Sequence, residues 1–364
     1  MTGPLIVDAH QDLAWNMLAN GRDYTLPVAA TRRQEELERP VILEHEGPAL
    51  IGWPEYQAGR VAIVFGTLFV LPASKKTEWV DITYADAEQA NRLYRQQLDT
   101  YHELADRHPG KFRLVLSQVA LAETIRHWES DAPDGHPVGL VPLMEGADGI
   151  RNPDALDEWW QRGLRIIGLA WGATRYSGGT REPGPLTDEG RQLLKAMADF
   201  NFTLDISHMD EPAARQALDL YPGPIIASHA NAAALIPEYA HNRHLSDGMI
   251  RALVARDGVI GLVPSCRFLN YGWKRGDRRD LVPLDMLVAH VDHICQIAGD
   301  ARHVGYGSDF DGGFGLNDVP VEYESIADLG KLGPKLAAKG YNDADVAAVL
   351  GGNWLRHLHD HLPA

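Results

Sequence analysis

His10 and Asp12, one residue apart, stand at the far end of the apolar run LIVDAHQD that spans Leu5 to Asp12. On an extended chain residues i and i+2 project to the same side, so an imidazole nitrogen and a carboxylate oxygen can converge on one ion. Short polar pairs after strands are common in loops, and the pair alone decides little. Further residues of the same kind close later apolar runs: Glu145 follows VGLVPLM, His208 follows FTLDIS, His229 follows GPIIAS and Asp309 follows HVGYGS. Singly, each has an ordinary explanation as a cap, a hydrogen-bonded histidine or the start of a turn. Jointly they make an oxygen and nitrogen ligand set suited to Zn²⁺, with Mn²⁺ or Co²⁺ chemically possible.

The residue types suggest a division of labour. Glu145 has two oxygens and can bridge two ions, leaving His10 with Asp12 for one and His208 with His229 for the other. Two cations sharing a water lower its pKa and yield hydroxide at neutral pH, while one of them polarises a carbonyl. Asp309 is then best kept as a proton carrier, taking a proton from the nucleophilic water and returning it to a leaving amine.

Such a constellation needs strands that end together, and the rest of the chain supplies them. The 364 residues are 45% hydrophobic and 23% charged, ordinary for a globular protein that holds one large barrel or two medium domains. Fifty acidic side chains against 34 basic ones, a formal charge of −16, argue against nucleic-acid and anionic-membrane partners. Met1 to Val7 offers neither a basic leader nor an apolar stretch, and no run approaches the length of a membrane span, so a cytoplasmic location is expected. Cys266 and Cys295 fit buried small hydrophobes better than a metal pair or a disulfide. Homodimer formation is compatible with the sequence.

Residues 11 to 60 are polar and broken, with a charged helical run near Arg32 to Arg39 that reads as a solvated helix on a long excursion. Arg60 to Val70 suits a strand covered on both sides, and Ile82 to His108 a long helix stopped by Pro109 and Gly110. From Val138 the chain settles into alternation, with strands at Val138–Met144, Leu164–Ala170, Phe202–Ser207, Pro224–Ser228, Val259–Pro264 and His303–Gly307. Helices separate them, and Asp343 to Leu362 can form a closing one. Strand and helix in regular alternation imply a parallel sheet, here a closed α/β barrel of (β/α)₈ type forming a single domain over residues 1–364. No GxGxxG or GxxxxGK[ST] indicates a nucleotide site. The polar residues sit instead at C-terminal strand ends, where a barrel collects its catalytic groups.

The sequence resembles the zinc-dependent membrane or renal dipeptidase family (peptidase family M19), a branch of the amidohydrolase superfamily. The resemblance runs from DAHQD at 8–12 to GGNWLR at 351–356, through MEG at 144–146, DISH at 205–208, ASH at 227–229, NRHLSD at 242–247 and GSDFDGG at 307–313. It implies a distorted TIM barrel with two zinc ions: His10 and Asp12 on the first, Glu145 as the bridge, His208 and His229 on the second. It also implies Asp309 as acid and base in contact with the substrate amine, and Arg243 as the clamp for the terminal carboxylate. The expected reaction is hydrolysis of dipeptides, including those with a C-terminal D residue. The resemblance places Glu145 after strand 3, and His208, His229 and Asp309 after strands 5, 6 and 8, so Phe112–Ser117 falls outside the barrel.

Two departures bear on the substrate. LRIIGLAWGATRY puts Trp171 where animal members carry a histidine that stabilises the oxyanion, and Gly146, Ala147, Asp148 replace a glycine pair and histidine. Tryptophan can donate one hydrogen bond but cannot become cationic, so Trp171 is either a substrate-pocket wall or a weaker donor. Arg175 and Arg181 are further candidates for binding an acidic group. The rival readings are hydrolysis of N-acyl amino acids or another small amide by the same centre, and a metal-containing binding protein without turnover.

Overall fold

The computed structural model describes residues 3–132, 135–238 and 241–364. Eight parallel strands make the central barrel: β1 Ile6–Gln11, β2 Val61–Leu68, β3 Val138–Glu145, β4 Ile166–Gly168, β5 Thr203–Asp205, β6 Ile225–Ile226, β7 Ile260–Leu262 and β8 Val304–Tyr306. Hydrogen bonding runs in chain order from β1 to β6, while β7 pairs β8 and β8 pairs β1. The remaining seam, between β6 and β7, is closed by a single parallel bridge from Ala227 to Ile260. All residues of these strands are buried, as expected of a parallel sheet covered outside by helices and filled inside by its own side chains.

A ninth strand, Phe112–Leu114, pairs with the beginning of β3, on the edge that β4 occupies further along. It therefore lies outside the ring, as the resemblance implies. The long helix expected after β2 spans Ala87–Arg107; Asp86 caps it by accepting from the Gln89 amide, and Ala90, Tyr94, Leu98, Tyr101 and Leu104 form its buried stripe.

Residues 13–59 fold as four short helices, α1 Leu13–Ala19, α2 Val28–Glu38, α3 Pro40–His45 and α4 Trp53–Gly59. The excursion is less solvated than its charge suggests, because Thr31 and Glu35 of α2 are buried. Arg22 Nε donates to Glu35 at 2.7 Å, and its guanidinium lies 3.4 Å from buried Asp311. Asp311 also accepts from the Leu50 amide and the Tyr24 hydroxyl, which ties the excursion to the loop after β8.

A helix-forming stretch at Arg279–Ala298 is long and apolar enough to cross a membrane by length and composition. Its apolar residues are interspersed with His290, Asp292 and His293, and Leu287, Val288, Val291 and Ile294 are buried against the rest of the fold.

The closing helix is interrupted. Asp343–Ala347 leads into a π turn at Ala348–Gly352, then Asn353–His361 resumes as α-helix. The turn lets Gly351 approach β1 so closely that a Cβ there would sit 2.4 Å from the Leu5 carbonyl oxygen. The approach places Asn353 to donate to the Ala301 and Val304 carbonyls, and Trp354 Nε1 to donate to that of Tyr306. Gly351→Ala should therefore destabilise the protein by about 1–3 kcal/mol, the range for overpacking. Gly352→Ala, whose nearest neighbour would be 3.3 Å away, should shift stability by under about 1 kcal/mol; equal midpoints in urea for the two variants would contradict this account.

Candidate metal centre

Each candidate ligand sits where a strand gives way to a turn. His10 is the penultimate residue of β1 and Asp12 precedes α1; Glu145 ends β3. His208, His229 and Asp309 lie just beyond β5, β6 and β8. Gly146, at φ 77°, turns the chain away immediately after Glu145, whose carbonyl accepts from the Tyr94 hydroxyl at 2.7 Å. His208 and Asp309 themselves adopt left-handed backbone, φ 65° and 57°. Asp and His tolerate that region better than β-branched residues but at some cost, a pattern frequent at functional sites. Gly312 leaves room for Asp309: a Cβ there would fall 2.0 Å from Asp309 Oδ1.

These side chains meet at the floor of a cleft of about 440 Å³. His10 is fully buried beneath it. Glu145 divides its two oxygens: Oε2 is 3.7 Å from His10 Nε2, while Oε1 is 3.0 Å from His208 Nε2 and 3.3 Å from His229 Nε2. His10 Nε2 also lies 4.0 Å from Asp12 Oδ1 and 3.9 Å from Asp309 Oδ1. Glu145 thus turns Oε2 toward His10 and Oε1 toward His208 and His229, while the His10 and His229 rings lie 3.6 Å apart and with Glu145 form one possible ligand cluster. The structure also brings Asp309 within ligand reach of His10 and Asp12.

Hydrogen bonds behind the imidazoles fix which nitrogen faces the centre. Asp205 accepts from the Ser207 and Ser228 amides, each at 2.9 Å, and from the Ser228 hydroxyl. With its only hydrogen committed to Asp205, Ser228 Oγ must accept, and the nitrogens nearest it are His229 Nδ1 at 2.8 Å and His10 Nδ1 at 3.3 Å. Thr180 Oγ1 stands 3.0 Å from His208 Nδ1 and donates to the same residue's carbonyl. The Ser228 contacts place hydrogen on Nδ1 of His229 and His10, while Nε2 of His208 and of His229 meet at 2.9 Å beside Glu145, the spacing of two nitrogens turned toward one point.

Electrostatics point the same way. Burial, reinforced by the Arg243 charge, pushes all three histidines well below the ordinary imidazole value, keeping them neutral. Burial first, then mutual repulsion, pushes Asp12, Glu145 and Asp309 well above the carboxylate range. His10 Nε2, Asp12 Oδ1 and Glu145 Oε1 are buried without a hydrogen-bond partner. Neutral imidazoles facing crowded carboxylates with unsatisfied lone pairs fit divalent cations.

On the substrate side, Arg243 and Trp171 both line the cleft. Arg243 is buried, its guanidinium 5.5 Å from the Phe268 ring. Trp171 continues an aromatic wall, its ring 5.3 Å from Phe69, which in turn meets Trp15 at 5.7 Å. Arg181 reaches the rim on the loop of an antiparallel hairpin formed by Ser177–Gly179 and Glu182–Leu186. Arg175 does not reach it: its guanidinium donates to the Asp148 and Ile150 carbonyls. Sequence reasoning passed over Asp205, Ser228 and Thr180. The first two stand inside the DISH and ASH segments, Asp205 three residues before His208 and Ser228 one before His229.

A family model described as membrane dipeptidase (peptidase family M19) matches residues 1–361. A protein of Klebsiella pneumoniae, described as uncharacterized and encoded in the pqqA 5′ region, is 33% identical over 274 residues, 72% of this chain and 94% of that protein. Among solved structures, the metallopeptidase dipeptidase AC, of family M19, superposes with a TM-score of 0.77 at 25% identity over 100% of both chains. A metallopeptidase from Rhodobacter sphaeroides, liganded with a phosphinate mimic of L-Ala-D-Ala, gives 0.78 at 24% identity over 99% of this chain and 100% of that one.

Two substitutions test the centre. Glu145→Gln removes the anionic charge that faces all three histidines and should lower metal retention; metal held at wild-type content and affinity would refute Glu145 as a ligand. Ser228→Ala removes the acceptor behind two imidazoles and should weaken metal binding by about 10- to 100-fold, read by chelator competition.

Proposed function

The chain belongs to the membrane dipeptidase family, peptidase family M19, and on that premise we propose that it cleaves dipeptides at a centre of two Zn²⁺ ions. His10 and Asp12 would hold one ion, His208 and His229 the other, with Glu145 shared. The observation that carries this reading is the division of the Glu145 oxygens, Oε2 toward His10 and Oε1 toward His208 and His229. When bound, the cations supply Lewis acidity, polarising the scissile carbonyl and lowering the pKa of a water.

The remaining steps belong to the protein. Arg243, buried beside the cleft, binds the free carboxylate of the substrate; a guanidinium can grip it bidentately. Asp309, at the wall facing His10, contacts the free amine, accepts a proton from the attacking water and delivers it to the departing amine nitrogen. A pocket that recognises both termini rejects tripeptides by geometry and blocked dipeptides by leaving a charge unpaired. Trp171, Phe69 and Trp15 form an apolar wall, which limits the space beside the scissile bond and favours a small or D-configured residue. The same wall suits an acyl chain, so hydrolysis of N-acyl amino acids is the reading to be tested against.

Asp309→Asn should keep most metal and lower kcat about 10²- to 10⁴-fold, the range for losing general acid and base help. Loss of one ion instead would assign Asp309 to the ligand set. Arg243→Met should depress kcat/KM for dipeptides far more than for C-terminally amidated analogues, at unchanged metal content. Faster cleavage of N-acyl amino acids than of every LL and LD dipeptide, with Arg243→Met slowing both classes equally, would overturn the dipeptide assignment.

A further inference from the structure

The protein carries a net charge of −16, yet the rim of its cleft is cationic, with Lys75, Arg181, Arg267 and Arg275. Two of the four are neutralised on the spot: Lys75 pairs with Glu182, and Arg275 Nε lies 2.8 Å from Asp318. Arg181 and Arg267 are exposed, and neither makes an ion pair with another described residue. The other carboxylates of the cleft are already engaged: Asp12, Glu145 and Asp309 in the metal cluster, and Glu46 with Asn20 and the nearby Arg22 charge. Arg181 and Arg267 also share a second recess beside the rim, of about 470 Å³, to which Lys274 adds a further positive charge.

Both arginines flank the carboxylate clamp. Arg267 precedes Phe268, the ring against which the Arg243 guanidinium rests. The Arg181 amide donates at 2.8 Å to Asn242, the residue before Arg243. Arg181, Arg267 and Arg243 line the same cleft. We propose that this enzyme is selective for dipeptides whose C-terminal residue is acidic, aspartate or glutamate, with Arg181 and Arg267 as the residues that read that side chain. The inference rests on the dipeptidase reading and on Arg243 as the clamp.

Metal-loaded enzyme is assayed on Ala-Glu, Ala-Gln, Ala-Lys and Glu-Ala, with the second residue in L and in D form. Ala-Glu should exceed Ala-Gln in kcat/KM by about 10-fold, mostly through KM, and the ratio should shrink as salt rises from about 0.05 to about 0.5 M. The double variant Arg181→Gln/Arg267→Gln should bring the ratio close to one. Arg267→Glu should reverse the order of Ala-Glu and Ala-Lys. Equal cleavage of Ala-Glu and Ala-Gln, a preference for Glu-Ala, or an unchanged ratio in the double variant overturns the inference and leaves the dipeptidase reading standing. No turnover of any dipeptide overturns both.

Discussion

Two buried aspartates that face no candidate metal position hold the centre together. Asp205 accepts three hydrogen bonds from Ser207 and Ser228, which locks the ends of β5 and β6 side by side. Asp8 does the same for β1 and β8, accepting from the amide and hydroxyl of Ser308. Burial drives both carboxyls upward and their hydrogen bonds oppose the shift. A carboxylate supplied with several donors can remain charged in the interior. Through Ser228 that charge also reaches the imidazoles of His10 and His229, so one interaction sets both strand register and ligand tautomer.

The same requirement explains why the barrel can be so economical in regular structure. β6 contributes two residues and β7 three, and only an isolated bridge joins them. A side chain supplements the short ladder: Asn231 accepts from the Val263 amide and donates to its carbonyl, bridging the segments after β6 and β7. The seam is therefore held by a few main-chain bonds, among them Gly261 to Ala227 and Ala230 to Gly261, with Asn231 adding a side-chain clamp at the mouth, two residues from His229.

Much of this is legible in the sequence. Apolar runs ending in His, Glu or Asp mark strands whose last residues face a common mouth, and the structure does bring His10, Asp12, Glu145, His208, His229 and Asp309 together. What escaped notice was polar within apolar: Asp8 and Asp205 lie inside strands, where a carboxylate reads as an interruption and not as a clamp. The hairpin at 177–186 was equally hidden, because SGGTREPGP carries the residues of a loop. Its pairing depends on Gly178 and Gly184 approaching where a Cβ on Gly178 would lie 2.3 Å from the Gly184 nitrogen. Arg175 stands beside Arg181 in the same polar stretch, yet its guanidinium is committed to main-chain carbonyls. Such contacts depend on tertiary geometry that local pattern does not carry.

The pairing of β1 with β8 also imposes an order in time. Asp8 and the Ser308 that satisfies it stand 300 positions apart, and Asp311 closes the excursion from a similar distance, 287 residues beyond Tyr24. At ordinary rates of translation, about 5–20 residues per second, His10 and Asp12 emerge roughly 15–60 s before the segment that completes their surroundings. Until then β1 is an apolar strand with an unpaired edge, and His10 and Asp12 belong to no site. A nascent chain of this design therefore relies on whatever shields β1 during that interval, and a ribosome stalled before residue 304 would carry a nearly full-length polypeptide whose barrel cannot close.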